Sequence, residues 1–215
     1  MQEHHLVIPK TARYFSSGEL NSHTKEIWVI CHGYAQLANF FLRKFDLLNA
    51  PHRYLVAPEG LHRFYQEGSA GRVVASWMTK EDRLNDIQDY VNFLDLLSES
   101  LLQQAPDAKI YVFGFSQGCA TVSRWISLGK TRCEALILYA GVFPPDMNFD
   151  VSKEALSNTK VILANGDEDE FLSEKDWKLQ SEELNNKGIR HELVRFNGKH
   201  AIYPEALNKI LKAVF

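Results

Sequence analysis

Ser116, held between glycines in Gly114-Phe115-Ser116-Gln117-Gly118, is the residue of this chain best placed to act as a nucleophile. The run Lys109-Ile110-Tyr111-Val112-Phe113 before it reads as a buried strand, and Gln117 to Leu128 after it reads as a helix. A serine on so tight a strand-to-helix turn is pushed out of the sheet on a strained backbone, and its glycine neighbours let adjacent chain come close. A serine hydroxyl is a weak nucleophile at neutral pH and needs a base to take its proton. Histidine suits that task because it titrates near physiological pH. Of the eight histidines, His4, His5 and His23 fall near the N-terminus, where solvent is expected to surround them, and His191 opens a strand at its wrong end. His200 follows the last strand through Asn197-Gly198-Lys199, a turn that would hold an imidazole above the sheet. It is the expected general base.

The strand-turn-helix serine resembles that of the α/β-hydrolases, which implies an acid in the chain between the serine and the histidine. Asn165-Gly166-Asp167-Glu168-Asp169-Glu170 follows a strand in that interval. Asp169, third after Gly166, leaves room for the chain to turn toward the histidine and is favoured; Asp167 is its rival, and the remaining carboxylates form a solvated turn. The acid would fix the imidazole tautomer and stabilise the imidazolium without taking the proton itself. Acyl transfer also requires donors aimed at the oxyanion of the tetrahedral intermediate. The backbone N–H of Gln117 is one candidate, and that of Tyr34, in His32-Gly33-Tyr34, is the other. His32 is expected to be structural, bonding the backbone of its loop.

The elements that must position these groups alternate short apolar strands with longer amphipathic stretches, the pattern of an α/β protein with a mostly parallel sheet. Leu6-Ile8 and Ala12-Phe15 suggest an N-terminal antiparallel hairpin. Strands are expected at Ile27-Cys31, Arg53-Ala57, Ala135-Tyr139, Val161-Asn165 and Glu192-Phe196, with helices at Ala38-Leu48, Glu174-Asn186 and Pro204-Val214. Thr79 and Asp82 form a capping-box pattern ahead of a long helix. Leu84, Ile87, Val91, Leu94, Leu97 and Leu101 give that helix one apolar stripe. Leu61 to Met78 has no clear periodicity and reads as a long loop, a length that compact domains keep for function. Ligands in such sheets bind beyond the carboxyl ends of the strands, where each residue nominated above for the site falls.

At 215 residues the chain fits one domain, 1–215, with 45% hydrophobic residues and a formal net charge of −3. No basic stripe stands out, which argues against a nucleic-acid partner. No apolar run is long enough to span a membrane. Three cysteines without close spacing argue against a disulfide framework, and Met1-Gln2-Glu3-His4-His5 carries no basic region leading into an apolar stretch, so a cytoplasmic location is expected. No metal-ligand spacing is visible and no cofactor is implied. Whether the chain forms a homodimer is left open.

These motifs together resemble the α/β-hydrolase superfamily, and within it the phospholipase/carboxylesterase family that includes acyl-protein thioesterases. The likeness runs from about Ile27 to the end. His32-Gly33 is similar to the family's oxyanion-loop dipeptide, Ala57-Pro58-Glu59-Gly60 to its A-P-x-G, and Gly114-Phe115-Ser116-Gln117-Gly118 to its G-F-S-Q-G. Ala140-Gly141-Val142-Phe143-Pro144 resembles its S-G-x-x-P, and Gly166-Asp167-Glu168-Asp169 its G-D-x-D, which places the acid on Asp169. Two departures edge the cleft. Glu170-Phe171-Leu172-Ser173 stands where the family has a valine-proline pair, and Tyr34-Ala35-Gln36 replaces its G-x-G-D continuation. Ser76-Trp77-Met78 also looks like a family segment. Trp77, Met78, Phe143 and Phe171, with Phe64 and Tyr65, are candidates to line an acyl pocket, core packing being the competing role for each.

The expectation is therefore a mostly parallel α/β-hydrolase fold without a large cap, carrying a serine esterase that acts on a small-molecule ester or acyl substrate, thioesters included. A dienelactone-hydrolase-like enzyme would carry a cysteine nucleophile, and a peptidase would need a cap for which this length leaves little space. A non-catalytic binding protein on the same scaffold would typically have lost one of the three catalytic residue types.

Overall fold

The computed structural model describes all 215 residues. In chain order the elements are β1 (Tyr14–Ser17), β2 (Glu26–Cys31), α1 (Ala38–Leu42), β3 (Arg53–Pro58), β4 (His62–Tyr65), β5 (Val73–Ser76), α2 (Arg83–Gln104), β6 (Lys109–Phe115), α3 (Gln117–Leu128), β7 (Ala135–Tyr139), α4 (Phe149–Ser157), β8 (Lys160–Gly166), α5 (Glu174–Asn186), β9 (His191–Phe196) and α6 (Pro204–Val214). Seven strands form one sheet in the order β1-β3-β2-β6-β7-β8-β9, parallel throughout except that β1 runs antiparallel to β3.

The central strands β2, β3 and β7 are buried along their whole length. That is the condition of a parallel sheet covered on both faces, and it explains why these strands read as continuous apolar runs. Successive side chains point to opposite faces. Ile27, Val29 and Cys31 join a core of 33 buried residues with α2, α3, α4 and α5, whereas Trp28 and Ile30 join a second core of 23 with α1 and α6. The stripe on α2 packs as expected through Ile87, Val91, Leu94, Leu97 and Leu101, but Leu84 at its start is exposed.

Three local expectations need correction, and one helix went unforeseen. The N-terminal hairpin does not form. The antiparallel strand is present as β1, but its partner is β3, with Phe15 opposite Ala57, and Leu6, Val7 and Ile8 lie exposed. The segment before β1 is drawn along the end of β3 by the Arg13–Glu59 ion pair (2.7 Å), the Glu59 N–H to Arg13 carbonyl bond and Lys10 Nζ on the Leu61 carbonyl, so it has no reason to fold back on itself. The stretch from Leu61 to Met78 is not structureless, because β4 and β5 pair antiparallel within it. The capping box is not made: Thr79 Oγ1 accepts from Glu81 N–H, and the helix begins after Asp82, which sits at φ 49° without a side-chain cap. Helix α4 was not anticipated. Asn148 caps it by accepting from Asp150 and Val151 N–H, and Phe149, Ser152, Ala155 and Leu156 form its buried side.

Candidate active site

Ser116 stands between the last residue of β6 and the first of α3, with φ 54° and ψ −118°. A positive φ costs a residue with a side chain about 1–3 kcal/mol and persists only where the surroundings enforce it. Here they do. Ser116 N–H donates to the Tyr139 carbonyl at 3.0 Å, and its own carbonyl accepts from Cys119 N–H at 2.9 Å. A Cβ on Gly118 would fall 2.4 Å from the Cys31 carbonyl oxygen and 2.8 Å from that of His32, so only glycine lets α3 start this close to the end of β2. The serine side chain is left partly exposed at the carboxyl edge of the sheet.

His200 is reached through the loop after β9. Tyr139 Oη donates to the Ala201 carbonyl at 2.8 Å and accepts from Tyr203 N–H, while Tyr203 Oη accepts from Lys199 N–H, so the histidine sits between two anchored residues. Its Nδ1 lies 2.9 Å from Asp169 Oδ2 and 3.1 Å from Oδ1. A carboxylate can only accept, so Nδ1 carries the proton and Nε2 presents its lone pair. The Asp169 side chain is fully buried, and its Oδ1 also accepts from Phe171 and Leu172 N–H. Asp167, the rival, does not meet the imidazole. Its Oδ1 accepts from Gly198 N–H at 2.9 Å and so steadies the histidine's loop from the other side.

The imidazole packs between two rings, Phe115 at 4.9 Å and Phe171 at 4.8 Å, and Phe115 is the residue that precedes the serine. Ser116, the His200 imidazole and the Asp169 carboxylate thus gather at one edge of the sheet. No hydrogen bond joins Ser116 Oγ to His200, whose side-chain bonds are both to Asp169.

The two nominated amides border the same edge. Gln117 N–H is the first of its helix and has no intrahelical acceptor. Tyr34 N–H makes no backbone hydrogen bond, and the next residue, Ala35, is held at φ 57° by its bond to the Ala75 carbonyl. The Gln117 side chain works elsewhere. Its Oε1 accepts from Trp77 N–H and its Nε2 donates to Ser76 Oγ and the Met78 carbonyl, tying α3 to the segment after β5, a role the sequence did not suggest. His32 is fully buried, donates from Nδ1 to its neighbour's carbonyl and accepts at Nε2 from Gly60 N–H. Burial holds its pKa below the ordinary imidazole value. It is a structural histidine.

The nominated pocket residues divide. Phe171 is 75% exposed beside the imidazole, and Met78 is half-buried. Trp77 is fully buried with Nε1 donated to the His32 carbonyl, and Phe143 is buried against Phe149, so these two belong to the core and not to a cleft wall. Both read as pocket residues in the sequence because an aromatic near a strand end looks alike in either role. Cys31, Cys119 and Cys133 are all buried, and burial pushes their thiols up, away from reactivity. No helix is long and apolar enough to cross a membrane.

Solved structures share this architecture at low sequence identity. Acyl-protein thioesterase 2 of Zea mays superposes with a TM-score of 0.74 at 15% identity, over 95% of this chain and 100% of that one. A phospholipase/carboxylesterase from Dyadobacter fermentans gives 0.71 at 14% identity over 97% and 98%, and the Bacillus cereus carboxylesterase 0.67 at 13% over 95% of each. No curated protein sequence matches the chain. The family model described as phospholipase/carboxylesterase matches residues 19–214, nearly the whole length, and the chain therefore belongs to that family of α/β-hydrolase enzymes.

Proposed function

We propose that the protein is a serine hydrolase of carboxylic esters, thioesters included, working through an acyl-enzyme on Ser116. The observation that carries this reading is the buried Asp169 carboxylate held against His200 Nδ1. That contact leaves Nε2 free to act as base toward a serine whose backbone is strained outward on the adjoining turn. Ser116 Oγ attacks the acyl carbon while His200 Nε2 takes its proton. The tetrahedral oxyanion is met by the N–H groups of Gln117 and Tyr34, each such donor being worth about 3 kcal/mol in comparable enzymes. His200 then returns the proton to the departing alcohol or thiol, and water repeats both steps to release the acid. Asp169 keeps its charge throughout.

Thioesters enter because a structural neighbour is an acyl-protein thioesterase and because the same steps serve either leaving group. Phe171 supplies apolar surface for an acyl group beside the imidazole. The test is turnover of a short-chain nitrophenyl ester by the wild type and Ser116→Ala. Loss of turnover in a correctly folded variant supports the assignment, and an unchanged rate refutes it.

A further inference from the structure

A cavity of about 320 Å³ opens between α1 and β5, beside the loop that carries the Tyr34 amide. Leu37, Phe41 and Val74 are among its apolar walls, and its polar lining comes from Gln36, Lys44 and Arg72. No carboxylate lines it. Gln36 engages Gly33 N–H through its Oε1, which leaves the side chain's amide N–H groups as what it can offer a ligand. Lys44 and Arg72 are exposed, and neither head is drawn into an ion pair with the protein. A third cation, Arg43, lies over the Phe40 ring at the same rim, 5.1 Å from its centroid.

The lining thus carries two cations and no acid in a protein of net charge −3, several of whose other arginines are matched to acids: Arg13 to Glu59, Arg53 to Glu26, Arg124 and Arg83 to Asp146, Arg195 to Glu174. The cavity adjoins the chemistry through packing and chain continuity. Phe41 in its wall lies 5.6 Å from Phe115, which packs on His200 and precedes Ser116, and Ala35 and Gln36 on its rim directly follow the Tyr34 amide.

We propose that this cavity receives an anionic head, a carboxylate or phosphate carried on an apolar stem, and that the preferred substrates are esters bearing such a group. The inference rests on the serine-hydrolase reading for its catalytic half only. The stem lies along Leu37, Phe41 and Val74, and the anion meets Lys44 and Arg72 at the mouth. Neither cation touches the reacting atoms; they select the substrate.

Mono-nitrophenyl esters of succinic, adipic and suberic acids test this beside neutral nitrophenyl esters of matching chain length, in the wild type and in Lys44→Ala/Arg72→Ala. An alkyl phosphate added as competitor separates phosphate from carboxylate as the better head. The expected result is that kcat/KM for the best anionic ester falls about tenfold in the double variant, as for two partly exposed ion pairs, with neutral esters unaffected. Raised salt should erode the wild-type preference. Charge reversal with Lys44→Glu/Arg72→Glu should lower the anionic rate further. An equal fall for both ester types, or no fall, overturns the proposal. If the wild type hydrolyses no ester at all, the catalytic reading has failed separately. Calorimetric titration with adipate then decides the cavity alone: binding to the wild type and not to the double variant upholds it, and equal or absent binding overturns it.

Discussion

His200 Nδ1 and Asp169 Oδ2 meet at 2.9 Å although 31 positions separate them, and the carboxylate involved has no exposed surface. Burying a carboxylate without partners is costly, and this one is satisfied by the imidazole and by Phe171 and Leu172 N–H. Asp169 is thus committed to one orientation, and it transmits that orientation to the histidine ring.

Asp169→Asn should therefore act on catalysis more than on stability. An amide can present N–H to Nδ1 and select the wrong tautomer, which in a Ser-His-Asp system lowers kcat by about 10⁴-fold. Asp167→Asn keeps an oxygen for Gly198 N–H and should stay within about tenfold of the wild type. Steady-state kinetics of the two variants side by side check this, and the reverse ranking would transfer the acid's role to Asp167.

Gly118→Ala should destabilise the fold by about 2–3 kcal/mol, because the added methyl meets two backbone carbonyls that cannot rotate away. Urea unfolding measures it. A change smaller than about 0.5 kcal/mol would mean that α3 can retreat from β2 at little cost.

The Gln117 side chain and backbone are expected to separate cleanly. Gln117→Ala removes the tether to Ser76, Trp77 and Met78 but keeps the N–H assigned to the oxyanion. Stability should drop by about 1–2 kcal/mol while kcat stays within about tenfold. A collapse of kcat without loss of stability would make the side chain part of the chemistry.

How much of this was legible beforehand depends on where the physics is local. Helices α3, α5 and α6 and strand β7 stand at the expected residues, because apolar periodicity and end signals such as Pro204 are written in the segment itself. The turns that carry Ser116 and His200 were legible for the same reason: a turn between strand and helix is a local event. The partner of β1 was not, since it is set by Arg13 finding Glu59 across 46 positions. Strands β4 and β5 escaped notice because four-residue strands joined through Gln66 to Arg72 give too little alternation to see. Trp77 and Phe143 were misplaced because composition does not distinguish a core ring from a cleft ring.

Acid should weaken the protein partly through Asp146. Hydrogen bonds from Arg124, with a further one from Arg83, hold this carboxyl down at about 2 against an ordinary 3.8. Its folded-state pKa is thus below its unfolded one, so its contribution is present above the unfolded pKa and is lost as pH falls from 3.8 toward 2. With the side chain partly open to solvent, that contribution is about 1 kcal/mol. Denaturation across this range should show it, and Asp146→Asn should flatten that part of the curve.

The central claim is that Ser116 is made nucleophilic by His200. Labelling the folded protein with a fluorophosphonate and mapping the adduct by peptide mass spectrometry tests it most directly. The account predicts a single adduct on Ser116, abolished by prior unfolding and reduced at least about 10³-fold in rate by His200→Ala. Modification of a different residue, or labelling at an undiminished rate without the imidazole, would contradict it.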